Sequence, residues 1–554
     1  MLARPRRSAT LTAHALSYER GPLTVLSAVS VVVGPDTRMG VVGPNGVGKT
    51  TLLRLLAGLD RPARGRLELS PPEATVGYLA QERQRSTTET VRQHLRRRTG
   101  VEAAEQELTR AAEAMSRHEP DAGARYSSAL ERWESLGGAD LDARLEAALA
   151  DLGLDASVAD NPTGSLSGGQ AARVELATVL LSRFDLTLLD EPTNDLDFDG
   201  LARLEDFVSG GGGFVVVSHD RAFLERTVTS VLEIDEHTRT GTEYAGGWLA
   251  YLEERDTARR HAEESYASYQ SQRRELLDRA RRERQWATSG VSREKRVPRD
   301  NDKAQRDFRI NRTEKLASRA RMTEMALKRL EAVDKPWEGW DLRLSIRQAP
   351  RSGTVVARLD GAVVRRGRFV LGPVDLEIGW AERVAVTGPN GSGKTTLIEL
   401  LVGRLAPAEG SRWIGPSVIV GELGQRRSAF DADRPLLDAF MSHTGMPVAE
   451  ARSLLAKFGL GPEHVGRPAA TLSPGERTRA ELAGFQANEV NLLVLDEPTN
   501  HLDLPAIEQL EEALESYSGT LVIVSHDRRL LEAVEITRAV ELAGAVRVTD
   551  GRRL

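Results

Sequence analysis

The stretch "GPNGVGKT" at residues 43–50 returns as "GPNGSGKT" at residues 388–395. Both copies carry two glycines that flank four residues, followed by Lys and Thr, which is the pattern of a phosphate-binding loop. Each copy follows an apolar, strand-like run and precedes a helix-like run. In that context the backbone N–H groups and the helix N-terminus bind phosphate. The repeat therefore predicts two phosphate-binding α/β domains; a glycine-rich turn that binds nothing would explain one copy better than two.

The residues of each loop have separate expected roles. Lys49 and Lys394 are expected to reach the terminal phosphates, and Thr50 and Thr395 to hold Mg²⁺. The rest of each loop is expected to surround the phosphates: Gly43, Asn45, Gly46, Gly48 and Thr51 in the first copy, and Gly388, Asn390, Gly391, Gly393 and Thr396 in the second.

Two further repeated stretches place acidic residues at the ends of apolar runs. "LTLLDEPTNDLD" at 186–197 and "LLVLDEPTNHLD" at 492–503 each predict a buried parallel strand that ends in two acids. We expect the first acid, Asp190 or Asp496, to position the metal. The second, Glu191 or Glu497, is suited to act as the base for an attacking water. A solvated acidic turn is the alternative interpretation.

A histidine ends another apolar run in each half. "FVVVSHD" places His219, and "LVIVSHD" places His526, at the end of a predicted strand. An imidazole at that position is suited to sense the terminal phosphate. A structural histidine is the alternative, and it explains two matching positions less well than one.

The segments "LSGGQ" at 166–170 and "LSPGE" at 472–476 each precede a predicted helix. Together with the phosphate loops and the acids, they resemble the ATP-binding cassette superfamily across both halves of the chain. The resemblance implies that two cassettes of one chain meet head to tail. Each ATP would lie between the phosphate loop of one cassette and the LSGGQ-type segment of the other, so that ATP stabilises the closed state.

The resemblance implies two composite ATP–Mg²⁺ sites, in which Thr, Gln and Asp are the metal ligands. Site one would join Lys49, Thr50, Gln81, Asp190, Glu191 and His219 to Ser473, Gly475 and Glu476. Site two would join Lys394, Thr395, Gln425, Asp496, Glu497 and His526 to Ser167, Gly168, Gly169 and Gln170.

Two departures from the family pattern predict unequal sites. Pro474 replaces a signature glycine, which removes one N–H donor and fixes φ, so site one is expected to hold ATP differently. Tyr18 occupies the position of the ring that stacks on adenine in the first half, whereas Val363 stands at the equivalent position in the second. We expect both sites to hydrolyse ATP, at different rates.

Composition limits the class of protein. The chain has 554 residues, 40% of them hydrophobic, which is enough for at least two domains. It has no cysteine, which excludes disulfides, thiolate metal sites and cysteine nucleophiles and favours a cytoplasmic location. The longest nearly apolar run, residues 23–34, is too short to span a membrane. We therefore expect no membrane domain.

A charged connector joins the halves, with expected boundaries at 1–245 for the first cassette, 246–352 for the connector and 353–554 for the second cassette. Residues 255–285 and 304–333 lack Gly and Pro and predict a helical hairpin. Its tip, "WATSGVSREKRVPRDNDK" at 286–303, has five basic and three acidic residues and is predicted to be a loop. The candidate RNA contacts are Trp286, Arg293, Lys295, Arg296, Arg299 and Lys303. A solvated helix face is the alternative for the charged stems.

The whole architecture, α/β with two tandem cassettes and a long helical-hairpin linker, resembles the ABC-F subfamily. That resemblance implies a cytoplasmic ATPase that binds the ribosome, contacting 23S rRNA and P-site tRNA near the exit site. Protection from antibiotics is the favoured role, a housekeeping translation factor the second, and a cassette ATPase acting on DNA or on a partner protein the third. An arm insertion near 101–137, predicted as two helical pieces around "HEPD" at 118–121, fits the subfamily but is acidic. The basic residues at its root, Arg96, Arg97 and Arg98, are either RNA contacts or a charged helix end.

Overall fold

The structure, a computed structural model, describes residues 8–80, 86–194, 196–294, 350–367, 369–424, 433–500, 502–542 and 546–550, with 322, 325 and 430. For residues 259, 262, 263, 283–294 and 546–550 the backbone alone is described. The chain forms two compact units. One contains residues 1–251 with 342–554, and the other residues 252–341.

The first cassette is built from two sheets and the helices that cover them. Its strands are β1 (Thr10–Arg20), β2 (Leu23–Val33), β3 (Arg38–Val42), β4 (Arg64–Ser70), β5 (Val76–Ala80), β6 (Leu186–Asp190), β7 (Gly213–Val217), β8 (Ser230–Ile234) and β9 (Gly241–Ala245). Its helices are α1 (Lys49–Leu56), α2 (Val91–Arg98), α3 (Val101–Ser116), α4 (Ala122–Ser135), α5 (Leu141–Asp151), α6 (Gly168–Leu181), α7 (Phe198–Ser209) and α8 (Arg221–Thr227).

The linker begins with one long helix, α9 (Gly247–Glu294). Its 48 residues extend about 72 Å at the usual helical rise. The expectation of a loop from residue 286 is wrong for 286–294, because the helix continues through Gly290. Trp286 and Arg293 thus belong to α9, whereas Lys295, Arg296, Arg299 and Lys303 lie outside the described residues. So does most of the second predicted stem, in which Met322 and Met325 are helical.

The second cassette repeats the first. Its strands are β10 (Val355–Arg366), β11 (Phe369–Gly379), β12 (Arg383–Thr387), β13 (Glu409–Ile414), β14 (Val420–Leu423), β15 (Leu492–Asp496), β16 (Thr520–Val524), β17 (Arg538–Leu542) and β18 (Val546–Asp550). Its helices are α10 (Lys394–Val402), α11 (Leu436–Thr444), α12 (Val448–Lys457), α13 (Pro462–Val465), α14 (Pro474–Ala487), α15 (Leu504–Ser516) and α16 (Arg528–Ala533).

Each cassette pairs a small antiparallel sheet with a larger, mostly parallel one. The larger sheets have the strand orders β5-β6-β7-β3-β8-β9 and β14-β15-β16-β12-β17-β18. In both, only the last strand runs antiparallel to its neighbour. The central strands are covered on both faces, so they consist mainly of apolar residues and are buried throughout, as in β6 and β15. This order brings the ends of β3, β6 and β7, which carry the candidate site residues, to one edge of the sheet.

The arm insertion is a pair of helices, α3 and α4, joined at residues 117–121, as the sequence predicts. The arginines at its root bond within the cassette. Arg96 bonds to Glu105 and Asp142, and Arg97 bonds to Glu89. Arg98 donates to the carbonyl of Ala80. These charges therefore hold the base of the arm together, which favours the charged helix end over RNA contacts.

Within the part of the chain that the structure describes, helices lack an apolar stretch of the length and hydropathy needed to cross a bilayer.

Candidate functional site

The two phosphate loops have the same local structure, which only glycine permits at its first position. Gly43 and Gly388 have φ angles of 143° and 140°. A Cβ at Gly43 would lie 2.7 Å from the carbonyl oxygen of Ile234, and one at Gly388 would lie 2.5 Å from that of Leu542. The tight packing places each loop against the end of a neighbouring strand, β8 or β17.

The lysine of each loop is buried within it. Lys49 Nζ donates to the carbonyl oxygens of Gly43 at 2.6 Å and Pro44 at 3.1 Å. Lys394 Nζ donates to the carbonyl oxygen of Gly388 at 2.7 Å and lies 3.1 Å from His526 Nε2. Burial lowers the pKa of both lysines, which the nearby acids oppose. A negatively charged phosphate beside them would favour their charged form.

The expected metal ligands meet in both cassettes. Thr50 Oγ1 donates to Asp190 Oδ1 at 3.3 Å, and Thr395 Oγ1 donates to Asp496 Oδ2 at 3.0 Å. A hydroxyl and one carboxylate suit Mg²⁺, which keeps several waters and takes its other ligands from substrate phosphates. The described residues hold no group of three or more acidic or histidine side chains around a metal position. Gln81 and Gln425, the remaining expected ligands, lie outside the described residues.

The candidate bases lie beside the candidate phosphate-sensing histidines. Glu191 Oε1 is 3.2 Å from His219 Nε2, and Glu497 Oε1 is 3.5 Å from His526 Nε2. Both glutamates have positive φ angles, of 52° and 49°. Such backbone is uncommon for a side chain of this size and is typical of functional sites.

Burial sets the protonation of these groups. Burial raises the pKa of Glu191 to about 7, an effect that the charge of Lys49 opposes. Burial, with the charge of the neighbouring lysine, lowers the pKa of His219 to about 3 and that of His526 to about 4. Both imidazoles are therefore neutral near pH 7, so each can accept a hydrogen bond on one nitrogen and donate one from the other.

The signature segments form matching helix N-termini. Ser167 caps α6 and Ser473 caps α14, each in a capping box with the residue three positions on, Gln170 or Glu476. Pro474 aligns with Gly168 and occupies the first turn of α14. The two capping serines have nearly identical φ and ψ, -63° and 161° against -62° and 160°. Pro474 thus fits the helix without distortion, and its effect on site one reduces to one missing N–H donor.

The two cassettes face each other head to tail. A Cβ on Gly169 would lie 3.2 Å from Asn390 Cβ in the opposite phosphate loop. Arg173 Nη2 donates to the carbonyl oxygen of Asn390 at 3.2 Å. At site two the structure therefore brings a signature segment and a phosphate loop together, as the resemblance to the ATP-binding cassette superfamily implies. A cavity of about 390 Å³ opens there, lined in part by Gly169, His219, Asn390, Thr395, Glu497 and His526.

Two aspartates that cross the interface were missed in the sequence. Asp197 Oδ2 accepts from Asn390 N at 2.9 Å, and Asp503 Oδ2 accepts from Asn45 N at 2.9 Å. The other oxygen of each carboxylate caps its own helix, α7 or α15. Each aspartate thus ties the start of a helix in one cassette to the phosphate loop of the other. The signal was present in the repeat, because both aspartates end the matching "DEPTNDLD" and "DEPTNHLD" segments.

The residues at the predicted adenine positions differ between the two cassettes. Tyr18 lies on β1, half-buried against the core of the first cassette. Val363 is buried in β10, at 6% exposure. However, a ring does approach the second loop, since a Cβ on Gly393 would lie 2.6 Å from Phe369 Cζ. Thr51 and Thr396 lie in the first turns of α1 and α10.

Two reciprocal ion pairs join the cassettes beside the sites. Arg221 of the first cassette bonds to Glu511 of the second, and Arg528 of the second bonds to Glu205 of the first, at 3.4 Å. Between these pairs lie Asp220 and Asp527. Burial raises the pKa of Asp220 to about 6, and the negative charges of Asp527 and Glu205 add to this effect, which Arg528 opposes.

This environment predicts a pH-dependent stability. Asp220 has a higher pKa in the folded protein than its ordinary value of 3.8, so its contribution to stability is fully present below that value and is lost as pH rises through about 6. Asp220→Asn removes the charge and keeps a good helix cap. We expect the Tm of Asp220→Asn to exceed that of the wild type, and we expect this difference to grow from pH 5 to pH 8. Each kcal/mol of added stability raises Tm by about 2–4 °C. Differential scanning calorimetry across this range measures it.

Asp235→Asn is the matched control, because hydrogen bonds from Thr238 and His237 lower the pKa of that carboxyl. Replacing the Asp235 carboxylate by an amide should lower Tm at pH 8. A gain for Asp220→Asn that is equal at pH 5 and pH 8 would contradict the assignment.

Comparison with known proteins agrees with this geometry. The family description "ABC transporter" matches residues 26–194 and 371–500. The tylosin resistance ATP-binding protein TlrC of Streptomyces fradiae is 38% identical over 538 residues, covering 94% of this chain and 95% of TlrC. The energy-dependent translational throttle protein EttA of Mycobacterium tuberculosis is 33% identical over 521 residues, covering 92% of this chain and 88% of EttA.

The chain belongs to the ABC-F subfamily of ATP-binding cassette proteins. The resemblance drawn from the motifs is thereby confirmed, and with it two tandem cassettes, ATP binding and ATP hydrolysis. The crystal structure of the archaeal ribosome recycling factor aABCE1 with the stalk protein aP1 shares the fold of this ABC-F protein. Its TM-score is 0.54 at 17% identity, covering 96% of this chain and 89% of that one.

Proposed function

We propose that this ABC-F ATPase is a cytoplasmic protein that binds the ribosome in its ATP-closed form and protects it from antibiotics. The linker tip near 286–303 would act near the P-site tRNA and 23S rRNA, at the exit site. The observation that carries the proposal is the 38% identity to TlrC, a tylosin resistance protein, along 94% of the chain, linker included. The division into cassettes at 1–245 and 353–554 and a linker at 246–352 is part of the proposal.

The closed form is supported by contacts between the cassettes. Asn45 and Asn390, one in each phosphate loop, bond to an aspartate of the opposite cassette. Because ATP would lie at these same loops, ATP binding and closure of the cassettes are coupled.

Thr50 with Asp190, and Thr395 with Asp496, would hold Mg²⁺, which when bound neutralises phosphate charge. Glu191 and Glu497 would take the proton from water, and His219 and His526 would contact the terminal phosphate. The chain would act as a monomer, since it carries both cassettes.

Ribosome co-sedimentation tests the proposal. With ATP, the Glu191→Gln/Glu497→Gln variant is expected to stay on 70S ribosomes, because closure is kept while the base is lost. Retention should fall as salt is raised, since rRNA contacts are electrostatic. Duplex DNA of equal phosphate concentration is the control for charge alone. In a cell-free translation assay stalled by tylosin, adding the wild-type protein with ATP should restore synthesis.

The outcomes separate the alternatives. Ribosome retention without relief of tylosin inhibition would favour a housekeeping translation factor, which the 33% identity to EttA also supports. Retention on DNA but not on ribosomes would overturn the ribosomal proposal and favour a DNA-associated ATPase.

A further inference from the structure

Phe198 is the first residue of α7 in the first cassette, directly after the interface aspartate Asp197. Its half-buried ring packs against an apolar core cluster of the second cassette, whose members include Ile507 and Leu530. The start of α7 therefore makes two contacts across the interface. The Asp197 carboxylate binds the phosphate loop of site two through Asn390 N, and the Phe198 ring enters the neighbouring apolar region.

The ring meets two residues that flank Asp527. The Phe198 and His526 rings are 5.1 Å apart at 82°, an edge-on contact. On the same ring, the Arg528 guanidinium carbon lies 5.5 Å from the centroid. Arg528 also bonds to Glu205 of α7. An aromatic edge contact and a cation over the ring face are both directional, so they fix the ring relative to the histidine.

His526 is the candidate phosphate-sensing residue of site two. Its Nε2 lies 3.1 Å from Lys394 Nζ and 3.5 Å from Glu497 Oε1. Rotating the imidazole about its Cβ–Cγ bond would move Nε2 away from both. The ring of Phe198, in edge contact with the imidazole, limits that rotation.

Site one has no ring at the matching position. The segment "DLDFDG" at 195–200 corresponds to "HLDLPA" at 501–506, so Leu504 takes the place of Phe198. Leu504 is buried, at 4% exposure, and opens α15. Leucine fills a similar apolar space but has no aromatic ring, so it can form neither an edge contact with a histidine nor a cation–π contact with an arginine. The two histidines are thus supported differently.

We propose that Phe198 is a positioning residue for His526, so that the first cassette holds the phosphate-sensing histidine of site two in its productive orientation. Leu504 does not do this for His219, which makes the coupling between the cassettes one-directional. The inference rests on the proposed roles of His526 and Glu497 in hydrolysis.

Kinetics in single-site backgrounds tests the coupling. In Glu191→Gln, where hydrolysis runs at site two, adding Phe198→Leu is expected to lower kcat about three- to tenfold, with KM for ATP changed less than about twofold. Phe198→Tyr keeps the ring and should restore kcat to within about twofold. In Glu497→Gln, where ATP hydrolysis runs at site one, Phe198→Leu should leave kcat within about twofold. Leu504→Phe is the matched substitution, at the position in the second cassette that corresponds to Phe198. Equal losses in both backgrounds, or Tyr as slow as Leu, would overturn the proposal.

A second readout does not depend on hydrolysis. Hydrogen–deuterium exchange at the C2 position of each histidine, read by mass spectrometry, reports the environment of His526 and His219 separately. Phe198→Leu should accelerate exchange at His526 at least about twofold and leave His219 unchanged. An unchanged rate at His526 would overturn the positioning role. If both parent variants keep full wild-type turnover, the hydrolytic roles fail instead, and the exchange result alone decides the inference.

Discussion

Replacing Glu191 and Glu497 together by Gln is expected to lower ATP turnover about 10²- to 10⁴-fold while ATP binding is kept. Gln has the shape of Glu but cannot take a proton from water. Both carboxylates lie beyond the ends of central strands, with Oε1 at 3.2 and 3.5 Å from the histidines of their sites. Phosphate release measures turnover, and equilibrium dialysis with a labelled ATP measures binding.

The single substitutions should leave unequal residual rates. Lys394 Nζ contacts His526 in site two, whereas in site one Tyr78 donates to Asp190 at 2.9 Å. The equivalent of Tyr78 is Glu422, which pairs with Arg404. Because the residues around the two sites differ, we expect the two sites to hydrolyse ATP at different rates. Glu236→Gln, at an exposed turn, is the control. A double variant that keeps more than a tenth of wild-type turnover would contradict the assignment of the two bases.

The residues that one cassette contributes to an ATP site were predictable because each of them belongs to a short local sequence pattern. A phosphate loop, a strand that ends in acids and a strand that ends in His each need fewer than a dozen consecutive residues. Thr50 and Asp190 lie far apart in sequence, yet each follows a predicted parallel strand, so their meeting at one sheet edge also follows from the pattern.

What the sequence did not provide depends on how the two cassettes meet. The bonds of Asp197 and Asp503 to the opposite loops need the orientation of one cassette on the other, which no local pattern specifies. The contact of Phe198 with His526 is missed for the same reason. Phe369 approaches Gly393 from another strand, so a residue count back from the loop does not point to this ring.

The linker error has a different physical cause. The loop prediction for residues 286–303 depends in part on Gly290, but one glycine costs a helix only about 1 kcal/mol. In a helix of 48 residues that cost is small beside the bonds on either side. The arginines at the root of the arm were ambiguous for another reason. A run of basic residues does not indicate that Glu89, Glu105 and Asp142 form ion pairs with it in the folded chain.

Removing the two interface aspartates should impair the cycle almost as strongly as removing a base. In Asp197→Ala/Asp503→Ala, the N–H groups of Asn390 and Asn45 lose their acceptors across the interface. A hydrogen bond to a charged group contributes about 1.5–3 kcal/mol, so closure should weaken about tenfold to hundredfold at each site. ATP turnover should fall by a similar factor. Because the chain has no cysteine, dyes at Leu59→Cys and Val448→Cys, both exposed positions, can report closure by energy transfer.

Asp197 and Asp503 also cap α7 and α15, so lost closure must be separated from lost stability. Asp→Ser keeps a favoured cap but has a single side-chain oxygen, which leaves none for the opposite loop. The Asp197→Ser/Asp503→Ser variant should keep the wild-type Tm to within about 2–4 °C yet close as poorly as the Ala variant. Asp155→Ser, at a helix cap far from the interface in sequence, should affect neither. If the Ser variant closes on ATP like the wild type, the aspartates serve as caps alone, and the cassettes are held by the Arg221–Glu511 and Arg528–Glu205 pairs and by the nucleotide.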